Sequence, residues 1–248
     1  RRSGCSSGQY PFAFPADGFC DVLYCNREIL RSSPPETWDE LRARATEIRG
    51  TLSKDAFPIG YMPFIEALWS AGGEVCTDAA STLDSTEARD ALDFIISLRQ
   101  ERLSHPAGML DPGTGMELFL RGRVAMTVAS SEFLSQMRKS SFPVSFAAVP
   151  GKTQPISMLS DNAIVVFARY GHAKQASIRN VLEFLTGPAV QKDGSAPVRE
   201  SPARAVASPE LDKAFEVGRN TPLVASWSAI EFELARHIDL AYRWNGSR

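Results

Sequence analysis

The chain has 248 residues, 44% hydrophobic and 23% charged, with 27 basic against 29 acidic side chains for a net charge of −2. That composition belongs to a folded protein with a substantial core, in one large domain or two modest ones, and it excludes a disordered chain. Near-neutral charge removes the electrostatic ground for nucleic acid or an anionic membrane as a partner, and no apolar run approaches the ~20 residues of a spanning helix.

Residues 1–16, rich in Ser and Gly and then in Pro and Phe, read as extended rather than helical. Residues 21–25 read as a strand and 26–30 as a short helix, broken by Pro34 and Pro35. Thr37 caps a strong helix. Glu40, three residues later, completes a capping box, and Leu41, Ala45 and Ile48 share one face as far as Gly50. Residues 57–61 form a strand, and Pro63 opens a helix whose apolar stripe (Phe64, Ile65, Leu68, Trp69) ends at Gly72 and Gly73. A long helix starts at Thr86, with Ala91, Leu92, Ile95, Ile96, Leu98 and Leu103 mostly at helical spacing.

Residues 109–115 read as a loop, and 117–120 as a helical end stopped by Gly122. Residues 124–129, short, apolar and partly β-branched, predict a buried strand, and Ser130 and Ser131 stand where the N-cap of the next helix belongs. Residues 144–149 form a strand ended by Pro150, and a polar loop leads to a further strand at 163–167. Residues 175–185 are helical, 188–209 are rich in Pro, Ala and Ser, and 210–218 and 226–244 are helical. Strands alternating with helices predict an α/β fold.

Little in the pattern points to catalysis. His105, His172 and His237 are isolated, and no GxSxG elbow is present. Acidic residues sit mostly on polar helix faces, and Gly113-Thr114-Gly115 lacks the lysine of a phosphate loop. The expectation is no enzyme, no metal and no cofactor. Cys5, Cys20, Cys25 and Cys76 have no zinc-ligand spacing. A Cys20–Cys25 or Cys5–Cys20 disulfide and free buried thiols both stay open. Ser3-Gly4-Cys5-Ser6 is similar to the end of a lipoprotein cleavage box, although nothing apolar precedes it.

The junction from 124 to 131 is of the kind at which open α/β sheets bind ligands: a strand delivers the chain to a helix N-terminus with backbone N–H groups free. Around it several segments, in order, resemble one family. Leu23-Tyr24-Cys25-Asn26-Arg27-Glu28 and Pro34-Pro35-Glu36-Thr37-Trp38-Asp39-Glu40-Leu41 come first, followed by Ala71-Gly72-Gly73-Glu74. Then come Phe119-Leu120-Arg121-Gly122-Arg123-Val124-Ala125-Met126, Val181-Leu182-Glu183-Phe184-Leu185-Thr186-Gly187-Pro188, and Pro222 with Ser226-Trp227-Ser228-Ala229-Ile230. Together they resemble the extracellular solute-binding proteins of bacterial ABC importers, in the class of the maltose and glycerol-3-phosphate binders.

The resemblance implies type II periplasmic-binding-protein-like α/β lobes that close over a solute, outside the cytoplasm, and offer it to an ABC permease. It implies a lead-in over 1–17, a nearly complete second lobe over 18–142, a partial first lobe over 143–187, and a hinge return with final helices over 188–248. Family members carry half of the first lobe before the segment that Gln9-Tyr10-Pro11-Phe12 resembles, and this chain starts after it. Strands 144–149 and 163–167 would then lack sheet partners. The alternative this raises is a self-association module, a homodimer through those strands.

For the ligand, the resemblance places Tyr61 and Phe64 as stacking aromatics (core packing being the other reading of Phe64), Ser130 and Ser131 as donors, and Trp227 as a late stacking ring. Asp17, Asp161 and Asn162 are expected in loops near the lobe crossing, able to accept hydroxyl protons. The family's Gly-Gly near Asp161 is missing. Where glycerol-phosphate binders use an arginine this chain has Glu231 and Glu233, so a sugar or polyol is favoured over a glycerophospho-compound.

Overall fold

A computed structural model describes residues 6–7, 10–11, 13–77, 80–107, 111–137, 139–165, 175–185, 208–222, 224 and 226–245. In chain order the elements begin with β1 (Ser6–Ser7), β2 (Tyr10–Pro11), β3 (Ala13–Asn26), α1 (Trp38–Arg49), β4 (Phe57–Ile59), α2 (Phe64–Ser70) and α3 (Thr86–Gln100). They continue with α4 (Pro112–Leu120), β5 (Val124–Ser130), a 3-10 turn (Ser131–Phe133), α5 (Leu134–Met137), β6 (Val144–Ala148) and β7 (Ser157–Val165). Last come α6 (Gln175–Leu185), α7 (Pro209–Glu216), β8 (Gly218–Asn220) and α8 (Trp227–Asn245).

The long strand β3 organises the sheet. Its second half runs antiparallel to β5 on one edge, Asp21 opposite Ser130, and to β6 on the other, Val22 opposite Ala148. Its first half pairs antiparallel with β7, Cys20 opposite Leu159, with a register shift between Pro15 and Asp17. β4 lies parallel to β5, and β8 lies parallel to the start of β7. The strand is apolar on both sides because both of its faces are covered. Leu23 and Cys25 alternate onto the larger core with Met126 and Val128, against α1, α2, α3 and α8. Cys20, Val22 and Tyr24 face a smaller core with Phe119 of α4 and Leu211 of α7.

Several sequence expectations change. β6 lies in the same six-stranded sheet as β4, β5, β7 and β8. Both returning strands find partners on β3, which removes the premise of a homodimer through unpaired strands. Residues 26–30 are a turn: the Asn26 side chain accepts the Glu28 N–H at 2.9 Å and the Asn26 carbonyl accepts the Leu30 N–H at 2.8 Å. That local bonding competes with helix. Asp111, inside the expected loop, caps α4 by accepting the Thr114 N–H at 2.8 Å, and Pro112 follows it at the first turn. The helix expected over 210–218 ends at Glu216, Gly218–Asn220 is strand, and β7 begins six residues earlier than expected, because β8 and the start of β7 pair with each other. Residues 166 and 167 of the expected strand lie outside the described residues.

The strong local signals are present. Thr37 accepts the Glu40 N–H at 3.3 Å, while the Glu40 carboxylate turns back to the Glu36 N–H at 2.8 Å, one residue earlier than a standard capping box. Trp38, at the start of α1, stacks on Phe94 of α3 with centroids 4.2 Å apart. Cys20 and Cys25 are free and buried. Five residues apart on one strand, they lie on opposite faces and roughly 17 Å apart, beyond disulfide reach. Cys5 lies outside the described residues.

Candidate functional site

A cavity of about 250 Å³ opens where three pieces of chain meet: the middle of β3 at Asp21, the connection from β4 into α2, and one face of α8. α8 contributes Glu231, Leu234, Ala235, Ile238 and Tyr242, a set spaced so that all fall on one helical stripe. Tyr242 anchors that stripe. Its hydroxyl lies 2.7 Å from the buried Ser104 Oγ and donates to the His105 carbonyl at 3.3 Å.

The opposite wall, the β4–α2 connection, is held in place by β5. The Gly60 N–H donates to the Met126 carbonyl at 2.7 Å, and the Tyr61 N–H donates to Thr127 Oγ1 at 3.1 Å. The Val128 N–H returns a bond to the Tyr61 carbonyl at 3.0 Å. These bonds hold Tyr61 at the end of β4, and Gly115 of α4 comes so close that an added Cβ would lie 2.7 Å from both Tyr61 Cβ and Thr127 Oγ1. Pro63, with φ −76° and ψ 137°, then turns the chain into α2, which places Phe64 and Glu66 on the cavity.

Four carboxyl groups line this space: Asp21, Glu66, Asp111 and Glu231. Asp21 arrives there by strand alternation, on the face of β3 shared with Leu23 and Cys25. Glu66 is only 1% exposed, and neither of its oxygens has a hydrogen-bond donor in bonding geometry. Burial pushes its acidity constant well above the ordinary 4.5, and the neighbouring Asp21 pushes it further; the nearby backbone amides of Glu66 and Met158 offset this only in part. Asp21 itself is raised from 3.8 to about 6, chiefly by burial, with a contribution from Glu231, while the Glu66 carboxyl works in the other direction. The pair therefore shares a proton, held mainly on Glu66, because two adjacent desolvated carboxylates repel. Asp111 behaves differently: although burial alone would raise it, bonds from the Thr114 hydroxyl and from the Thr114 and Gly113 amides hold it below its ordinary 3.8.

Of the residues expected at a ligand, Tyr61 and Phe64 line this cavity. Phe64 is also buried in the larger core. Ser131 is fully buried, and its Oγ accepts the Cys20 N–H at 3.2 Å, which ties the turn to β3. Ser130 caps the 3-10 turn, its Oγ 3.3 Å from the Glu132 N–H, and α5 beyond it has only four residues. Trp227, at the start of α8, packs partly buried against the larger core. Asp17, Asp161 and Asn162 are not in loops: Asp17 pairs with Asn162, and Gly18 with Asp161, across β3 and β7.

The three acids Asp21, Glu66 and Asp111, and the α8 stripe, were not singled out from sequence, although a signal existed. Glu66 interrupts a run in which Phe64, Ile65, Ala67, Leu68 and Trp69 are all buried, and Asp21 interrupts an equally apolar strand. No Lys, Arg or His lines the cavity among the described residues. That argues against a glycerophospho-compound, whose phosphate needs cationic or N–H partners. No group of three or more metal-ligating side chains occurs among the described residues.

Residues 6–192 match the family of bacterial extracellular solute-binding proteins. A Brucella abortus protein named as a candidate binding protein is 24% identical over 216 residues, covering 78% of this chain and 52% of the relative. A Brucella suis protein matches to the same extent, so the chain spans about half the length of these curated relatives. Among solved structures, maltose-bound MalE3 of T. maritima superposes with a TM-score of 0.82 at 19% identity, over 97% of this chain and 70% of that one. The ABC substrate-binding protein Lmo0181 of Listeria monocytogenes, in complex with cycloalternan, gives 0.83 at 16% identity, over 97% and 69%. An ABC transporter solute-binding protein of Thermotoga lettingae bound with α-D-tagatose gives 0.82 at 19% identity, over 97% and 69%. At these identities the likeness is one of fold, that of type II periplasmic binding proteins.

Proposed function

The chain belongs to the bacterial extracellular solute-binding protein family, and on that premise we propose that it captures a carbohydrate or polyol for an ABC import system, outside the cytoplasm, and performs no chemistry on it. The observation that carries this reading is the cavity beside β3, where the rings of Tyr61 and Phe64 accompany several carboxyl groups and, among the described residues, no cationic side chain. Aromatic surface suits the C–H faces of a sugar ring, and carboxylates accept from its hydroxyls. The sugars bound by proteins of the same fold, maltose and tagatose among them, agree in class with those wall residues.

Capture by closure requires the ligand to bind the closed arrangement better than the open one. We place the crossing between lobes on β3 at Cys20 and Asp21, where the strand exchanges β7 for β5 and β6 as its partners. In this division 21–26, β4, β5 and β6 belong to the second lobe, while 13–20, β7 and β8 belong to the first. The permease partner follows from the family alone.

Isothermal titration of the purified chain against mono- and disaccharides, maltodextrins and a glycerophosphodiester tests the reading. Saturable 1:1 binding of at least one neutral sugar is expected, weakened about tenfold or more by Tyr61→Ala. Absence of heat with every sugar, or binding of the phosphodiester alone, would refute it.

A further inference from the structure

Glu66 stands apart from the other acids in the cavity wall. It is 1% exposed, it lines the cavity, and neither oxygen has a donor. A buried acid without a donor costs stability, so its place in a solute site calls for a partner that arrives with the solute. Its neighbour on the wall is Asp21 of β3, and Glu231 of α8 and Asp111 at the cap of α4 also line the cavity. The other polar lining groups are phenols, Tyr61 and Tyr242.

Resting on the reading of the chain as a sugar or polyol binder, we propose that the site selects a solute carrying a protonated amine, such as an amino sugar, whose ammonium group is received by Asp21 and Glu66. An ammonium brings three donors and a positive charge to a pair in which neither Glu66 oxygen has a donor in bonding geometry and beside which no cationic side chain lines the cavity among the described residues. A neutral sugar brings hydroxyl donors but no positive charge to set against the two acids. The rings of Tyr61 and Phe64 line the same space, and an aromatic face attracts a cation that has left water.

Because the pair holds a proton in the free protein, arrival of the ammonium drives that proton out. Binding of the amino sugar near pH 7 is therefore accompanied by proton release. The titratable groups facing Glu66 are Asp21 of β3, Tyr61 of the β4–α2 connection, Asp111 of α4, and Glu231 and Tyr242 of α8. Of these, the two phenols are held neutral far above pH 7, which leaves the acids as the source.

The test is isothermal titration of the whole chain with D-glucosamine, N-acetyl-D-glucosamine and D-glucose, each in two buffers of different ionisation enthalpy. Glucosamine is expected to bind about ten- to a hundredfold more tightly than the two neutral sugars, with proton release seen only for glucosamine. Glu66→Gln, and separately Asp21→Asn, should bring the three affinities to within about threefold while leaving the circular dichroism spectrum unchanged. Should either variant fail to fold, the wild-type ranking and proton release still decide the matter. Equal or tighter binding of glucose or the N-acetyl sugar would overturn the selection for an amine and leave the sugar-binding reading standing. No binding of these three or of any neutral sugar in the wider panel would overturn both.

Discussion

Replacing Asp21 by Asn should make the protein more stable at neutral pH, and by an amount set by the cavity wall. Asp21 is raised from 3.8 to about 6, mainly because it sits desolvated beside Glu66 and faces Glu231. For an acid whose constant is higher in the folded state, the folded protein holds the proton more tightly than the unfolded chain. Its favourable contribution is then complete below pH 3.8 and is lost as the pH rises to about 6. At about 1.4 kcal/mol for each tenfold change in acidity, the loss is about 3 kcal/mol. Asparagine keeps the shape, still accepts from a protonated Glu66, and does not ionise. Urea unfolding of wild type and Asp21→Asn at pH 3.5, 5 and 7 measures the effect. The stability difference should move by about 3 kcal/mol in favour of the variant between the lowest and highest pH, most of it before pH 6. A difference that is flat across this range, or one that moves toward the wild type, would refute the desolvated acid pair.

Three further outcomes test the placement of other residues. Gly115→Ala pushes a methyl group to 2.7 Å from Tyr61 and Thr127, so it should cost about 1–3 kcal/mol in urea unfolding and weaken sugar binding as Tyr61 is displaced. Ser131→Ala removes the acceptor of the Cys20 N–H and should cost about 1 kcal/mol of stability; a calorimetric affinity equal to wild type would separate this structural role from the donor role expected from sequence. Cys20 and Cys25 should resist alkylation in the native protein and react in urea, as resolved by peptide mass spectrometry. Both thiols are buried, and burial pushes the Cys20 thiol up to about 12.

Local signals and tertiary signals divided the reading. The Thr37 cap and the Leu41–Ala45–Ile48 face of α1, the Pro63 start of α2, and strand β5 are all local events, governed by backbone hydrogen bonds and by side-chain spacing within one or two turns. They were legible because the competing conformations differ in energy within the segment itself. Residues 26–30 misled for the same reason in reverse, since the Asn26 side chain offers the backbone a turn instead of a helix. β8 and the early start of β7 were not legible, because a three-residue strand has no period of its own and exists only by pairing with an edge supplied elsewhere.

The site followed the same division. Tyr61 and Phe64, which the family resemblance singled out, line the cavity because the β4–α2 connection carries them there. Ser130 and Ser131 stand at the end of β5, where the Ser130 hydroxyl stays local at the Glu132 N–H, while the Ser131 hydroxyl turns to Cys20 of β3, more than a hundred residues away. Sequence alone determined the α/β class, the capped helices, the family resemblance and the near-neutral charge, all carried by composition, period and short motifs. Only the tertiary structure decided that Asp21, Glu66 and Glu231 line one cavity. Burial and mutual repulsion belong to groups brought together across 210 residues of chain, and no property of any one segment encodes them.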